Sequence, residues 1–159
     1  YGGGPFHWTA NPEERAKLWQ ARHDAYWASL TLRPGAKGIS TDVCVPISRL
    51  AECVAATERD IEEHRLIAPI VGHAGDGNFH VLLLLNPDDP AEIAATEAFV
   101  ARLNQRALDM EGTCTGEHGI GQGKIEFLEH ELGAGVDVMR RIKSALDPQN
   151  IFNPGKIFV

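Results

Sequence analysis

The chain has 159 residues, 43% hydrophobic and 23% charged, and a formal net charge of −7. That balance describes one globular domain with a core of ordinary size, and the acidic surplus excludes a nucleic-acid partner, which needs basic surface to displace counterions. Cys44, Cys53 and Cys114 form no C-x-x-C pair, which points to free thiols and a reducing compartment, and no signal peptide or apolar run of the ~20 residues a membrane helix needs is visible.

Tyr1 to Gly4 read as a chain cut or flexible lead-in, and Phe6 to Thr9 as the stub of a strand. Asn11-Pro12-Glu13-Glu14 is a helix start, with Asn as N-cap and Pro at the first helical position. The helix is expected to reach Leu30 with an apolar stripe of Trp19, Tyr26 and Leu30. Arg22 falls on that stripe. It either snorkels to solvent or turns into a pocket to grip a carboxylate in a fork. Residues 33–38 form a loop, and 39–46 alternate as a strand, with Ile39, Thr41, Val43 and Val45 on one side. Ser48 is expected to cap a helix running to about His64, with a stripe of Leu50, Val54, Thr57 and Ile61. A hairpin over 66–85 follows. Asp89-Pro90-Ala91-Glu92 reads as a capping box that opens a helix to Glu111. Its inward residues are Ile93, Val100, Leu103, Ala107 and Met110, and Gly112 ends it. Two short helices then carry Ile125, Leu128 and Leu132, and Val136, Met139, Ile142 and Leu146. Gly133 separates them and Pro148 stops the second. The tail is irregular, with room for one short strand. The hairpin makes the sheet at least partly antiparallel. The fold class expected is α+β: an antiparallel sheet with helices packed on one face, in a ferredoxin-like arrangement.

Two glycine-rich stretches carry the chemistry. In the first, residues 72–80, Asp76-Gly77 lies between strand-like runs, the strongest short hairpin signal. With that pair at the tip, His73 faces His80 and both imidazoles reach one ion. A histidine on a strand is otherwise an ordinary hydrogen-bonded residue. In the second stretch, residues 112–124, Glu117 is the candidate third ligand. Two histidines and a glutamate leave a position open for water or substrate. The same residues also suit a structural ion in a non-catalytic metal-binding or interaction module, or the facial triad of a non-haem iron oxygenase. Residues 119–124 fail as a P-loop, since His118 stands where the first glycine belongs and Ile125 follows Lys124.

The pattern H-x-G-D-G-N-x-H, followed by G-T-x-x-G-E-H-G-I-G, resembles the C-terminal cap domain of FAD-dependent D-2-hydroxyacid dehydrogenases of the vanillyl-alcohol-oxidase type. Ala21 to Tyr26, Gly38 to Pro46 and the closing Asn153-Pro154-Gly155-Lys156 are similar to its cytochrome-type D-lactate dehydrogenase branch. The resemblance implies that His73, His80 and Glu117 hold a divalent metal, zinc or manganese. It implies that His118 is the catalytic base, that Arg22 binds the substrate carboxylate and that Asn153 turns toward the flavin. It implies a 2-hydroxyacid substrate, oxidised to the 2-oxoacid with FAD as the redox cofactor. The D-2-hydroxyglutarate branch carries a lysine where this chain has Ser40 and an asparagine where it has Leu82, so D-lactate or a similar monocarboxylate is expected here. The 159 residues are then a single cap domain, with the FAD-binding domain N-terminal to it in the same parent chain. By itself the domain is expected to be colourless and inactive, and to self-associate through the surface that met the flavin domain. Further partners implied are cytochrome c or an electron-transfer flavoprotein. The expected location is cytoplasmic or peripheral to the inner membrane in a bacterium, and mitochondrial in a eukaryote.

Overall fold

The computed structural model describes Pro5 and residues 7–158. Helix α1 (Pro12–His23) begins as expected, with the Asn11 side chain accepting from the N–H groups of Glu13 and Glu14. The helix does not continue to Leu30; it breaks at Asp24, and α2 (Ala25–Leu30) follows. Phe6 lies outside the described residues, and 7–9 form no strand.

Strands β1 (Lys37–Ser40) and β2 (Val43–Cys44) pair antiparallel with β4 (Asn78–Leu85) in one continuous register, from Lys37 opposite Leu85 to Cys44 opposite Asn78. They are one strand interrupted at Thr41 and Asp42. Strand β3 (Ile70–His73) takes the other edge of β4, so that Phe79 pairs with Val43 on one side and Gly72 on the other. Thr113 bridges antiparallel to Cys44 and adds the trace of a fourth lane. Helices α3 (Ile47–Glu63) and α4 (Pro90–Asp109) make the two crossovers. The chain thus follows the β-α-β-β-α-β order of a ferredoxin-like unit, its last strand reduced to one bridge.

Alternation along β4 builds two unlike faces. Phe79, Val81 and Leu83 meet Val43, Val45, Cys53, Phe99, Leu103 and Ala107 in the core under α3 and α4. The even-numbered side chains point the other way. Beyond them α2 closes over the sheet, where Leu30 and Tyr26 come together with Leu82 around Gly38. Both sides of β4 are therefore covered, and all eight of its residues are buried.

The expected hairpin register is displaced. His73 pairs with Asn78, and Val71 with His80. The turn spans 74–77, with the Asp76 N–H bonded to the His73 carbonyl at 2.8 Å. The carbonyl of Gly77, which sits at φ 75°, accepts from the Val45 N–H at 3.0 Å. A Cβ at this glycine would lie 2.0 Å from the Val45 carbonyl, so docking against the neighbouring strand selects the longer turn. The slip is two residues, and an even slip leaves every side chain on its original face.

Several ends differ from expectation. Ser48 lies inside the first turn of α3, and Pro46 occupies the N-cap because the strand runs directly into the helix. Glu111, at φ 60°, takes the left-handed position after α4 in place of Gly112. Gly112 instead abuts the preceding strand, where a Cβ would fall 2.3 Å from the Cys44 carbonyl. Helices α5 (Ile125–Leu132) and α6 (Gly135–Leu146) flank Gly133 as expected. Only Leu128 and Val136 on them are buried. Met139, Ile142 and Leu146, the rest of the expected apolar row on α6, are exposed together with Val138, Ile151 and Phe152. The described tail contains no strand. It is held instead by Asp147, whose carboxylate accepts from the N–H groups of Ile151 and Phe152.

A buried ion cluster ties α3 to α4. Asp60 accepts from Arg102 and Arg106, each at 2.6 Å at closest. Burial alone would raise the Asp60 pKa, but the two guanidinium hydrogen bonds outweigh it and the net shift is downward. A carboxyl with a depressed folded-state pKa contributes stability above its unfolded value, and that contribution disappears as pH falls through the folded one. Asp60→Asn is expected to cost about 2 kcal/mol at pH 7, the scale of a charge-assisted hydrogen bond. The gap between wild type and variant should begin to narrow below about pH 4, near the reference carboxyl value, and should close only as pH falls past the depressed folded-state value. Urea melts over a pH series that descends from neutrality past the folded-state value check this, and a gap independent of pH contradicts it.

Candidate functional site

The even face of β4 carries Asn78 and His80, and β3 brings His73 beside them. Between these strands and α1 arrives the loop of 114–124. His80 Nε2 lies 2.9 Å from Glu117 Oε1, and His73 Nε2 lies 3.6 Å from the same oxygen. The donor atoms of His73, His80 and Glu117 fall within 4.8 Å of one another. The two imidazoles are edge to face, with centroids 5.9 Å apart. The slipped register therefore still converges the pair, as diagonal and not directly opposed neighbours.

His80 Nδ1 sits 3.0 Å from the Thr41 carbonyl, which only accepts, so Nδ1 carries a proton. In the neutral ring, Nε2 then turns a lone pair toward an acceptor-only carboxylate. Two lone-pair-bearing atoms at 2.9 Å need a proton or a cation between them. The donor set is the nitrogen and oxygen mixture that zinc and manganese accept, and the residues present fit a divalent ion.

Arg22, from α1, donates to His73 Nε2 at 3.1 Å. A guanidinium has no acceptor, so the His73 lone pair is the acceptor here. That lone pair cannot serve Arg22 and an ion together, and an ion would free Arg22 for an incoming anion. His118 stacks on His80 at 5.0 Å and 8° between planes, with Nε2 3.9 Å from Glu117 Oε1. Arg22, Tyr26, Ser40, Leu82, Glu117 and His118 are among the residues lining a cavity of about 240 Å³. Asn153 is exposed at φ 46°, and its carbonyl accepts from the Lys156 N–H; it stands apart from this cluster among the described contacts.

The sequence reading missed the buried support beneath the loop. Asp42 accepts from Asn78 Nδ2, Thr115 Oγ1 and the N–H groups of Glu117 and His118. Burial alone would raise its pKa, but these hydrogen bonds outweigh it and hold the carboxyl far below the ordinary range. The signal was present: a lone acidic residue inside an alternating strand, on the face opposite Val43 and Val45, has to find partners. A second grouping, Asp42 with His80 and His118, also lies within ligand distance. Both Asp42 oxygens are already occupied by donors, which leaves that grouping no free carboxylate.

Lys124 ends the stretch that imitates a phosphate loop. Its Nζ donates to the carbonyls of Asp42 at 2.7 Å and Cys114 at 2.6 Å. Burial lowers its pKa. A lysine so engaged staples the two ends of the loop and is not presented to a phosphate. A further cavity, of about 300 Å³, lies between Arg33, Arg65, Leu66, Leu84 and Glu92. Its Arg33 is already held by Glu92 in a fork at 2.6 and 2.8 Å.

The fold and cluster define an α+β domain that gathers two histidines and a glutamate beside a small cavity. Residues 1–157 match the family described as FAD linked oxidases, C-terminal domain, and the chain belongs to that family. It is 51% identical over 157 residues to a probable mitochondrial D-lactate dehydrogenase of Danio rerio, covering 98% of this chain and 32% of that protein. It is 46% identical over 158 residues to mitochondrial D-lactate dehydrogenase [cytochrome] 1 of Saccharomyces cerevisiae, covering 96% of this chain and 27% of that protein. A solved structure, 4-ethylphenol oxidase from Gulosibacter chungangensis in an isoeugenol complex, shares the fold at a TM-score of 0.64 and 21% identity, over 94% of this chain and 31% of that one. The chain therefore spans about a third of the length of these proteins or less. Among the described residues, no helix is long and apolar enough to cross a membrane.

Proposed function

We propose that this domain is the substrate- and metal-binding part of a flavin-dependent oxidoreductase that converts D-lactate, or a similar D-2-hydroxy monocarboxylate, to the 2-oxoacid. The observation that carries the reading is the convergence of His73, His80 and Glu117 on one point, with Arg22 and His118 beside it. The names of the relatives support the substrate class. In this reading the FAD-binding domain, its flavin and the face toward the electron acceptor lie in the length that the relatives have and this chain does not span. The apolar row Met139, Ile142, Leu146 and Phe152 is where that domain would rest, and Asn153 next to it would turn toward the flavin. A mitochondrial setting agrees with the same relatives.

His73, His80 and Glu117 would hold a divalent ion, zinc or manganese. Bound there, the ion would supply Lewis-acid charge that favours the alkoxide form of the substrate hydroxyl, and FAD in the neighbouring domain would supply the hydride acceptor. The chain's own groups do the rest. Arg22, released from His73, holds the substrate carboxylate through paired N–H donors. His118 Nε2 takes the hydroxyl proton. Leu82 and Tyr26 line the cavity and limit the water that reaches the reacting carbon.

The reading is tested by metal content. His73→Ala with His80→Ala is expected to abolish uptake of zinc or manganese by elemental analysis after dialysis against the ion. Undiminished uptake in the double variant ends the metal reading.

A further inference from the structure

Thr41 and Asp42 interrupt a strand whose register continues unbroken on either side of them. Asp42 is 1% exposed, yet it is charged and lies on the face that carries His80. Nothing in the strand requires an acid there. What the carboxylate holds is the loop: Thr115 Oγ1 at 2.9 Å, the Glu117 N–H at 3.0 Å and the His118 N–H at 2.8 Å. Two consecutive N–H groups aimed at one point form an anion-binding concavity, and here the chain's own carboxylate fills it. Thr115 extends the hold, because its hydroxyl also accepts from the Gly119 N–H at 2.8 Å. The Thr41 carbonyl, one residue before Asp42, orients His80 through Nδ1 at 3.0 Å. Gly116 lets the loop settle this low, since a Cβ there would lie 1.9 Å from Asn78 Nδ2.

We propose that Asp42 is the positioning residue of this site, with the Thr115 hydroxyl as its relay. Together they fix the backbone of 115–119 so that Glu117 reaches the two imidazoles and His118 stacks on His80. The inference rests on the proposed function for its consequence, ion affinity, and on the geometry alone for its structural half. Neither residue lines the cavity or belongs to the group of His73, His80 and Glu117. Each acts through the peptide N–H groups of the residues that do.

Thr115→Val removes the hydroxyl without changing side-chain shape, and Thr115→Ser restores it. Asp42→Asn keeps the shape and loses the charge. Two readouts separate positioning from general stability. The first is manganese or zinc affinity of the chain by calorimetry. The second is the NMR ring shifts of His80 and His118, which report their stacking. Thr115→Val and Asp42→Asn are expected to weaken ion binding by about 10–100-fold, the usual scale for a group supporting a metal ligand. Both should move the two imidazole shifts, and Thr115→Ser should return both readouts to wild type. Unchanged ring shifts in Thr115→Val overturn the proposal, whatever Asp42→Asn does to folding. Moved shifts with full ion affinity also overturn it, because the loop would then not set the ligand. If the wild-type chain takes up no ion, the metal reading falls separately. The positioning claim is then judged on the ring shifts: moved by valine and restored by serine upholds it, and unmoved rejects it.

Discussion

His118→Ala, in the intact enzyme that carries this domain, is expected to lower kcat by about 10²–10⁴-fold, the range for removing a general base, while the metal content stays at wild type. His118 is adjacent in sequence to the ligand candidate Glu117, and such neighbours are expected to diverge. In the structure they diverge only partly: His118 Nε2 remains 3.9 Å from Glu117 Oε1. What keeps the imidazole out of the ligand triangle is its parallel stacking on His80 and the tie of its backbone N–H to Asp42. The ring lines the cavity, where a substrate hydroxyl would lie, and it is not among the three groups, His73, His80 and Glu117, whose donor atoms converge. Added imidazole should restore part of the rate in the alanine variant, since the vacated cavity admits the missing base. Loss of metal together with activity would make His118 a ligand. Full activity would remove it from the mechanism.

The order of elements was legible because local chemistry wrote it. Asn11 and Asp89 cap their helices with their own side chains, each beside a proline at the first helical position. Alternation from Ile39 to Val45 predicted which face of that strand enters the core. The shared face of His73 and His80 was legible for the same reason: a hairpin displaced by two positions still presents both on one side of the sheet. What was not legible depended on contacts distant in sequence. The length of the turn at 74–77 is selected by Val45, and the left-handed residue after α4 by the close fit of Gly112 against Cys44. Asp42 belongs to the same class, since its partners lie 36 to 76 residues away. The apolar row of α6 was legible, but what covers it was not. Periodicity identifies a face that avoids water, and among the described residues Met139, Ile142 and Leu146 stay exposed.

Substrate size supplies the second large effect. Ser40 and Leu82 face each other across β1 and β4, and both line the cavity that holds Arg22 and His118. A 2-hydroxy dicarboxylate would engage Arg22 with its first carboxylate and bring the second against this pair. Leu82 is 4% exposed and offers no donor, and Ser40 offers a single hydroxyl. An anion desolvated beside them without a cation costs several kcal/mol. A loss of about 3 kcal/mol corresponds to roughly a hundredfold in kcat/KM. The intact enzyme is therefore expected to turn over D-lactate with a kcat/KM at least ~10²-fold above that for D-2-hydroxyglutarate. Ser40→Lys with Leu82→Asn places a cation and an amide on the same wall. That pair should narrow the preference by about tenfold or more, the worth of one charge-assisted hydrogen bond. The narrowing should come chiefly from a gain on the dicarboxylate. Steady-state kinetics on both substrates in both enzymes decide it. A wild-type enzyme that favours D-2-hydroxyglutarate would show that the second carboxylate finds its partner elsewhere, and that Ser40 and Leu82 do not set the specificity.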